Sequence, residues 1–152
     1  RFPMFISNRS RTMSNAIAIT DEVVALINTA VFSEPVAAVR KVLPLYELKD
    51  LADLKVTTRP VSLDVEPNSR ESGQYNWDIE IGIQKHMENI EAEIPGLAAL
   101  VMEIVKFLRG KPLALSKALW LKTAVDPLYS VEHLQGGSVF TSIITVTYKT
   151  TE

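Results

Sequence analysis

The sequence of 152 residues contains no cysteine and only two histidines, His86 and His133. Without cysteine the chain forms neither disulfides nor thiolate metal sites, and it has no thiol nucleophile. Two histidines leave little material for a zinc site or for a Ser-His-Asp triad. We therefore expect no catalytic residues, no metal ligands and no cofactor, and we predict that the protein is not an enzyme.

Long apolar runs are also missing, since no stretch approaches the ~20 apolar residues that a membrane span requires. Aromatic residues make up 7% of the chain and do not interleave with basic ones, so a base-stacking nucleic-acid platform is not predicted. The net charge is −2, and the body is more acidic still because residues 1–12 hold three arginines and no acid. An acidic body argues against a protein that reads a nucleic-acid sequence.

Of all residues in the sequence, 47% are hydrophobic and 22% are charged, which are ordinary proportions for one soluble globular domain. Met13-Ser14-Asn15 is typical of a natural start, which makes residues 1–12 an upstream extension or a processed remnant. We expect that extension to be mobile, with a partner-binding arm as the second interpretation. Residues 13–152 are expected to form a single domain.

Two segments have the apolar spacing of amphipathic helices. Thr20 is the candidate N-cap of the first helix because acidic residues follow it. This helix is predicted to run to about Phe32. Pro95 suits the first turn of the second helix, and Gly110 is placed to end it. This helix, over about residues 95–109, is expected to cover a sheet.

The clearest strand signal is strict alternation over residues 74–87, with apolar residues on one face: Trp77, Ile79, Ile81 and Ile83. Further strands are predicted over residues 36–43, 55–65, 119–125 and 139–149, with one or two helical turns within residues 45–54. Pro60 cannot donate to a ladder, so its strand is an edge or bulges there. The element order predicts an α+β fold, with an antiparallel or mixed β-sheet and helices packed on one side.

The strand over residues 74–87 is unusually long for the chain. Its length of roughly 45 Å, at ~3.3 Å per residue, exceeds the ~15 Å radius of gyration of such a domain. It therefore projects with its partner as a β-hairpin, or it breaks near Tyr75. A projecting β-hairpin suits pairing between subunits. Arg70 and Glu71 at its turn, with Tyr75 beside them, are candidate assembly contacts.

A second set of candidates lies in the polar connection before the last strand. Asp126, Tyr129 and His133 suggest a catalytic site, but no nucleophile accompanies them, and the segment is typical of a turn or a single helical turn. We therefore regard them as candidate assembly contacts as well. On the long strand, Asp78 and Glu80 are interpreted as solvent-facing rather than as an acid/base pair, because perturbed carboxylates need burial or a cleft.

Several short motifs are spread across most of the chain, from about residue 20 to residue 149. They are Leu48-Lys49-Asp50-Leu51 to Val56, Val61 to Val65, the run from Trp77 to Lys85, Trp120-Leu121, Asp126-Pro127-Leu128-Tyr129, Glu132-His133-Leu134, Phe140-Thr141-Ser142, and Ile144 to Tyr148. Together they resemble a group of small bacteriophage tail-completion proteins, which are tail terminators and related neck components of long-tailed phages.

The resemblance implies a fold similar to the tail-tube superfamily, with no active site. It implies a homo-oligomeric ring, typically a hexamer, that caps the finished tail tube and receives the head. The implied partners are the chain itself, the tail tube protein and a head-completion or connector protein. DNA would pass through the lumen without specific binding, and no membrane is involved. The implied location is the virion tail or neck, after assembly in the host cytoplasm.

Two alternatives accompany this interpretation. A head-closure or neck connector protein is the nearest, because such proteins are also small ring formers. The second alternative comes from a different class of protein and is a small soluble ligand-binding module or hydrolase. Native mass distinguishes these classes, since a ring supports the terminator and a monomer with a deep polar pocket supports the ligand-binding module or hydrolase.

Overall fold

The computed structural model describes residues 15–41 and 48–152, which form a five-stranded mixed sheet with three α-helices. The strands are β1 (Ala38–Arg40), β2 (Lys55–Pro67), β3 (Gly73–His86), β4 (Leu119–Val125) and β5 (Val139–Thr151). The helices are α1 (Ala16–Asn28), α2 (Ile90–Leu108) and α3 (Val131–Gly137), and a 3₁₀ helix covers Leu48–Ala52. The α+β class predicted from the sequence is confirmed. The predicted extension over residues 1–12 and the end of the predicted strand over residues 36–43 lie outside the described residues.

The strands are arranged in the order β1-β2-β3-β5-β4. β1 is parallel to β2 and pairs with residues 56–58, whereas all the other neighbours are antiparallel. β5 accompanies β3 along nearly its whole length, from His86 opposite Val139 to Gln74 opposite Thr151. Among the described strands, the borders of the sheet that face no further strand are the outer side of β4, the outer side of the short β1 and the part of β2 beyond Thr58.

The core lies between one face of the sheet and the two long helices. The alternation predicted for β3 is confirmed, since Ile79, Ile81 and Ile83 are fully buried and Trp77 is 6% exposed. The same core contains β5 residues Phe140, Ile144, Val146 and Tyr148, α1 residues Ile19, Val23 and Ile27, and α2 residues Leu97, Leu100, Val101, Ile104 and Leu108. Apolar faces at helical spacing thus cover the apolar face of the sheet.

The first helix is shifted relative to its predicted bounds. Asn15 is the N-cap, and its side-chain oxygen accepts a backbone N–H of the first turn at 2.8 Å. Thr20 therefore lies inside the helix, where its hydroxyl donates to the carbonyl of Ala16 at 2.6 Å. The helix ends at Asn28 rather than at about Phe32. The predicted Thr20 cap is wrong because an asparagine amide, which caps at least as well, precedes it.

The second helix also begins earlier than predicted. Asn89 caps it, and acidic residues Glu91 and Glu93 occupy its first turn, where the helix dipole favours negative charge. Pro95 consequently lies inside the helix instead of opening it. The predicted end is confirmed, because Gly110 follows the cap residue with a φ of +75°, a conformation that favours glycine.

Candidate assembly surface

The six candidate contacts fall into two groups near opposite ends of the sheet. Arg70, Glu71 and Tyr75 lie at the β2–β3 turn, where Tyr75 pairs with Thr150 of β5. Asp126, Tyr129 and His133 lie near the start of β5, where the N–H of Asp126 donates to the carbonyl of Ile143. The β5 backbone between residues 143 and 150 spans roughly 23 Å. The structure therefore does not bring the six residues into one site.

The β2–β3 turn is stabilised by its own backbone and by small polar side chains. The backbone N–H groups of Asn68 and Ser69 both donate to the carbonyl of Ser72 at 3.1 Å, and the two serine hydroxyls lie 2.8 Å apart. The side chains of Arg70 and Glu71 are exposed and take no part in these bonds. The hydrogen bonds of the turn therefore do not involve these two charged side chains, which are free to contact another molecule.

Tyr75 belongs to an aromatic pair on the β-hairpin. Its ring stacks on that of Trp77, with centroids 6.1 Å apart and planes 22° apart. The indole Nε1 of Trp77 donates to the hydroxyl of Thr150 at 3.0 Å, which ties the pair to β5. The alternative of a strand break at this point is wrong, because Tyr75 and Asn76 both pair with β5.

The outer half of β2 carries an apolar surface that was not predicted from the sequence. Val61, Leu63 and Val65 are 47%, 45% and 51% exposed. Leu63 pairs with Trp77 and Val65 pairs with Tyr75, so both lie on the core-facing side of the sheet. Their exposure shows that the long helices do not cover this part of that side. The alternation of Val61, Leu63 and Val65 with polar residues is the feature of the sequence that could have indicated this apolar surface.

We call residues 61–66 the distal β2 edge. The predicted irregularity at Pro60 is confirmed, since the register with β3 shifts between Pro60 and Ser62. β1 pairs only as far as Thr58, so within the described chain no strand lies on the outer side of the distal β2 edge. With respect to the described residues, its outward backbone N–H and C=O groups face no strand and can pair with another one.

The opposite border of the sheet is the β4 edge, Leu119–Val125. Leu119 is 52% exposed and Leu121 is 36% exposed, and a register shift lies between Trp120 and Lys122. Lys122 is exposed and pairs with Thr147, on the side of the sheet away from the core. The β4 edge thus presents both apolar and basic side chains.

The polar side of the sheet is cross-linked by side-chain bonds. Asp78 accepts hydrogen bonds from Ser62 at 2.8 Å and from Thr147 at 2.6 Å, which joins β2, β3 and β5. Glu80 forms an ion pair with Arg59 at 2.9 Å. Asp78 and Glu80, which were not predicted to be an acid/base pair, thus form bonds between strands.

The second group of candidates surrounds α3. The Nδ1 atom of His133 lies 2.7 Å from the hydroxyl oxygen of Thr141, and the ring of Tyr129 lies 6.5 Å from that of Phe140. Thr141 pairs with Gln84 and lies on the polar side of β5, whereas Leu134 of α3 packs against the core. The predicted turn or single helical turn is a helix of seven residues, and Ser138 ends it with a φ of +55°.

An open, mainly apolar cleft of about 280 Å³ lies beside α3. Its lining residues are Leu51, Gln84, Glu132, His133, Gly136, Gly137 and Val139. Within residues 15–41 and 48–152, no three histidine, aspartate or glutamate side chains are grouped so as to hold a metal ion. The helices of the same residues include none with the length and apolar character needed to cross a membrane.

A scan against models of protein families finds no match, and a search of curated proteins finds none either. The resemblance to phage tail-completion proteins therefore stays a prediction that depends on the motifs named above.

Proposed function

We propose that the protein is a structural component of a phage virion, a tail terminator. It forms a homo-oligomeric ring, typically of six copies, that caps the tail tube and provides the surface to which the head joins. The observation that carries the proposal is a pair of open sheet borders, the distal β2 edge and the β4 edge, with exposed apolar residues on both. Such borders are a liability for an isolated monomer and a means of association for a subunit.

The polar side of the sheet supports a role in which DNA passes without being held. Two of its acidic residues, Asp78 and Glu80, are engaged by hydrogen bonds and an ion pair. Arg59 is paired with Glu80, which leaves Lys122 and Lys149 as the basic residues of this side without an ion pair among the described residues. DNA binding at physiological salt needs several such groups, because each phosphate that a basic side chain neutralises adds to the affinity.

A head-closure or neck connector protein is supported by the same open borders, because it too is a ring of small subunits. The partner that the ring binds distinguishes the two proposals. A terminator binds the end of the tail tube, whereas a connector binds the head. A ligand-binding module or hydrolase would need an enclosed polar pocket, and the cleft beside α3 is open and mainly apolar.

Sedimentation and electron microscopy test the proposal together. The purified chain is sedimented over a wide concentration range and then imaged alone and after mixing with tail tubes built from the tube protein of the same genome. We expect rings at high concentration or at tube ends. A monomer at every concentration that also fails to bind tube ends contradicts the proposal. Rings that bind heads and ignore tubes favour the connector.

A further inference from the structure

The distal β2 edge and the β4 edge are open borders of one sheet, and they are complementary. We propose that the distal β2 edge of one copy pairs with the β4 edge of a second copy, so that the sheet continues from subunit to subunit. The proposal rests on the ring proposed above and assigns the surfaces that join its subunits.

The directions of the strands favour this pairing. β2 and β4 run in opposite directions because three antiparallel pairings separate them in the sheet. When copies are related by rotation about an axis along the strands, the β4 edge of one copy lies antiparallel to the distal β2 edge of the next. Pro60 and Pro67 have no N–H and bound the pairing segment, which limits the registers available to it.

The apolar sides of the two borders match. Leu63 and Val65 are about half exposed on the core-facing side of β2. On the β4 edge, Trp120 and Val125 are half-buried, and their partners Tyr148 and Ile144 place them on the core-facing side too. Leu63 and Trp120 lie at the same level of the sheet, so a continued sheet brings Leu63 and Val65 against Trp120 and removes their apolar surface from water, which favours association.

The charges on the polar sides are opposite in sign. Asp64 pairs with Asn76 and therefore lies on the polar side of the distal β2 edge, as Lys122 does on the β4 edge. Neither Asp64 nor Lys122 forms an ion pair within the described chain. Glu66 adds a second acid to the same side of β2. Complementary charges of this kind steer association and set its register.

The same charges disfavour pairing of two identical edges. Two copies joined through their distal β2 edges would bring Asp64 and Glu66 against the same residues of the other copy. Like charges placed together across an interface weaken association. A contact between two different edges leaves one open border at each end of any chain of copies, and repetition closes a ring when the rotation allows it.

Disulfide cross-linking tests the pairing directly because the chain has no cysteine of its own. In one copy, three strand spacings of ~4.8 Å place β2 and β4 roughly 14 Å apart, whereas a disulfide needs Cα atoms within about 7 Å. Any disulfide between the two edges must therefore join two copies. The main variant combines Asp64→Cys with Lys122→Cys, and Ser62→Cys or Glu66→Cys replaces the first to sample neighbouring registers.

Mild oxidation should give a ladder of covalent dimers, trimers and larger species, up to the ring, in at least one register. The matched control combines Asp64→Cys with Ala99→Cys, which lies exposed on α2 away from both edges, and should give no ladder. The single Asp64→Cys variant should give little dimer. Efficient dimers from that single variant would show β2–β2 pairing and overturn the proposal.

Charge exchange provides a second measurement without cysteine. Asp64→Lys should weaken self-association roughly tenfold by placing two lysines together, and adding Lys122→Asp to the same chain should restore it. Rings seen by microscopy without cross-links in any sampled register would overturn the edge pairing and leave the ring intact. A chain that stays monomeric on tail tubes as well would overturn the ring and the pairing together.

Discussion

The side-chain amide of Asn28 makes two hydrogen bonds to the backbone of Ala38. Its Nδ2 donates to the Ala38 carbonyl at 3.1 Å, and its Oδ1 accepts the Ala38 N–H at 2.8 Å. Asn28 is the last residue of α1 and Ala38 is the first of β1, so one amide fixes the helix to the short strand at the sheet border. The segment that connects them is tied down at both ends.

Asn28→Ala should lower the free energy of unfolding by about 2 kcal/mol, because two partly buried backbone groups lose their partners. Urea unfolding measures the loss. Thr29→Val is the matched control, since it removes an exposed hydroxyl bond to Leu26 and should cost less than about 1 kcal/mol. Equal losses in the two variants would show that the amide does not fix β1.

Ile81→Ala should destabilise the protein by about 2–5 kcal/mol, because the fully buried side chain leaves a cavity under the helices. Glu80→Ala, on the other side of the same strand, should cost no more than about 1 kcal/mol through loss of its ion pair with Arg59. Denaturant unfolding of both variants compares the two faces of β3. A larger loss for Glu80→Ala would reverse the assignment of these faces.

Tyr148→Phe should leave stability unchanged or raise it by up to about 1 kcal/mol. The Tyr148 hydroxyl is buried, and no described residue gives it a hydrogen bond. Burial, with a smaller contribution from the Glu22 carboxylate, raises the pKa of Tyr148 to about 12. The unfolded chain releases this proton near pH ~10, so the folded wild type should lose stability between there and pH 12.

The Tyr148→Phe variant should lack that alkaline component, which unfolding at a series of pH values measures. Tyr129→Phe is the matched control, because it removes a hydroxyl from a ring that is 38% exposed. A large loss of stability in Tyr148→Phe at neutral pH would mean that the hydroxyl has a partner in solution.

Glu93→Gln should destabilise the protein by about 0.5 kcal/mol near neutral pH, since the partly exposed carboxylate accepts the N–H groups of Glu88 and Asn89 at 2.9 Å. The bond from Asn89 is the main reason that the pKa of Glu93 lies below its ordinary value of 4.5. A lowered carboxyl pKa stabilises the fold above the unfolded value and loses that effect as the pH falls through the folded value. The difference between wild type and variant should therefore vanish in acid. A difference that persists at pH ~2 would exclude the carboxylate as its cause.

Arg70→Glu should leave the melting temperature almost unchanged, because exposed substitutions of this kind shift stability by less than about 0.5 kcal/mol. If the turn is an assembly contact, the variant should fail to complement tail assembly, and Arg70→Lys should retain much of it by keeping the charge. Normal assembly with Arg70→Glu would remove the turn from the mechanism. A fall in melting temperature would instead mean that the turn depends on the arginine.

Periodicity predicted the strands and the buried face of β3 well, because strict alternation of apolar and polar residues is typical of a half-buried strand and of few other structures. The helix starts were predicted less well. Asn15 and Asn89 each accept a backbone N–H, and nothing local shows which of several polar residues will do so. Tertiary contacts, which single-sequence patterns do not contain, decide such choices.

The relative positions of the candidate contacts could not be predicted from the sequence. Arg70 and His133 were both predicted to be assembly contacts, and the register of β5 places them near opposite ends of the sheet. Register depends on which strands become neighbours, and β5 pairs with β3 although it follows β4 in the chain. For the same reason the sequence showed Val61, Leu63 and Val65 as a strand without showing that β1 stops short of them.

The position of β5 also governs how firmly β4 is held. Among the described strands β4 pairs only with β5, which is itself held by β3 on its other side. β4 is therefore expected to open more readily than β3 or β5, with faster amide exchange. A subunit waiting for a neighbour would thus keep its β4 border as the least rigid part of the sheet, and each closing contact would slow that exchange.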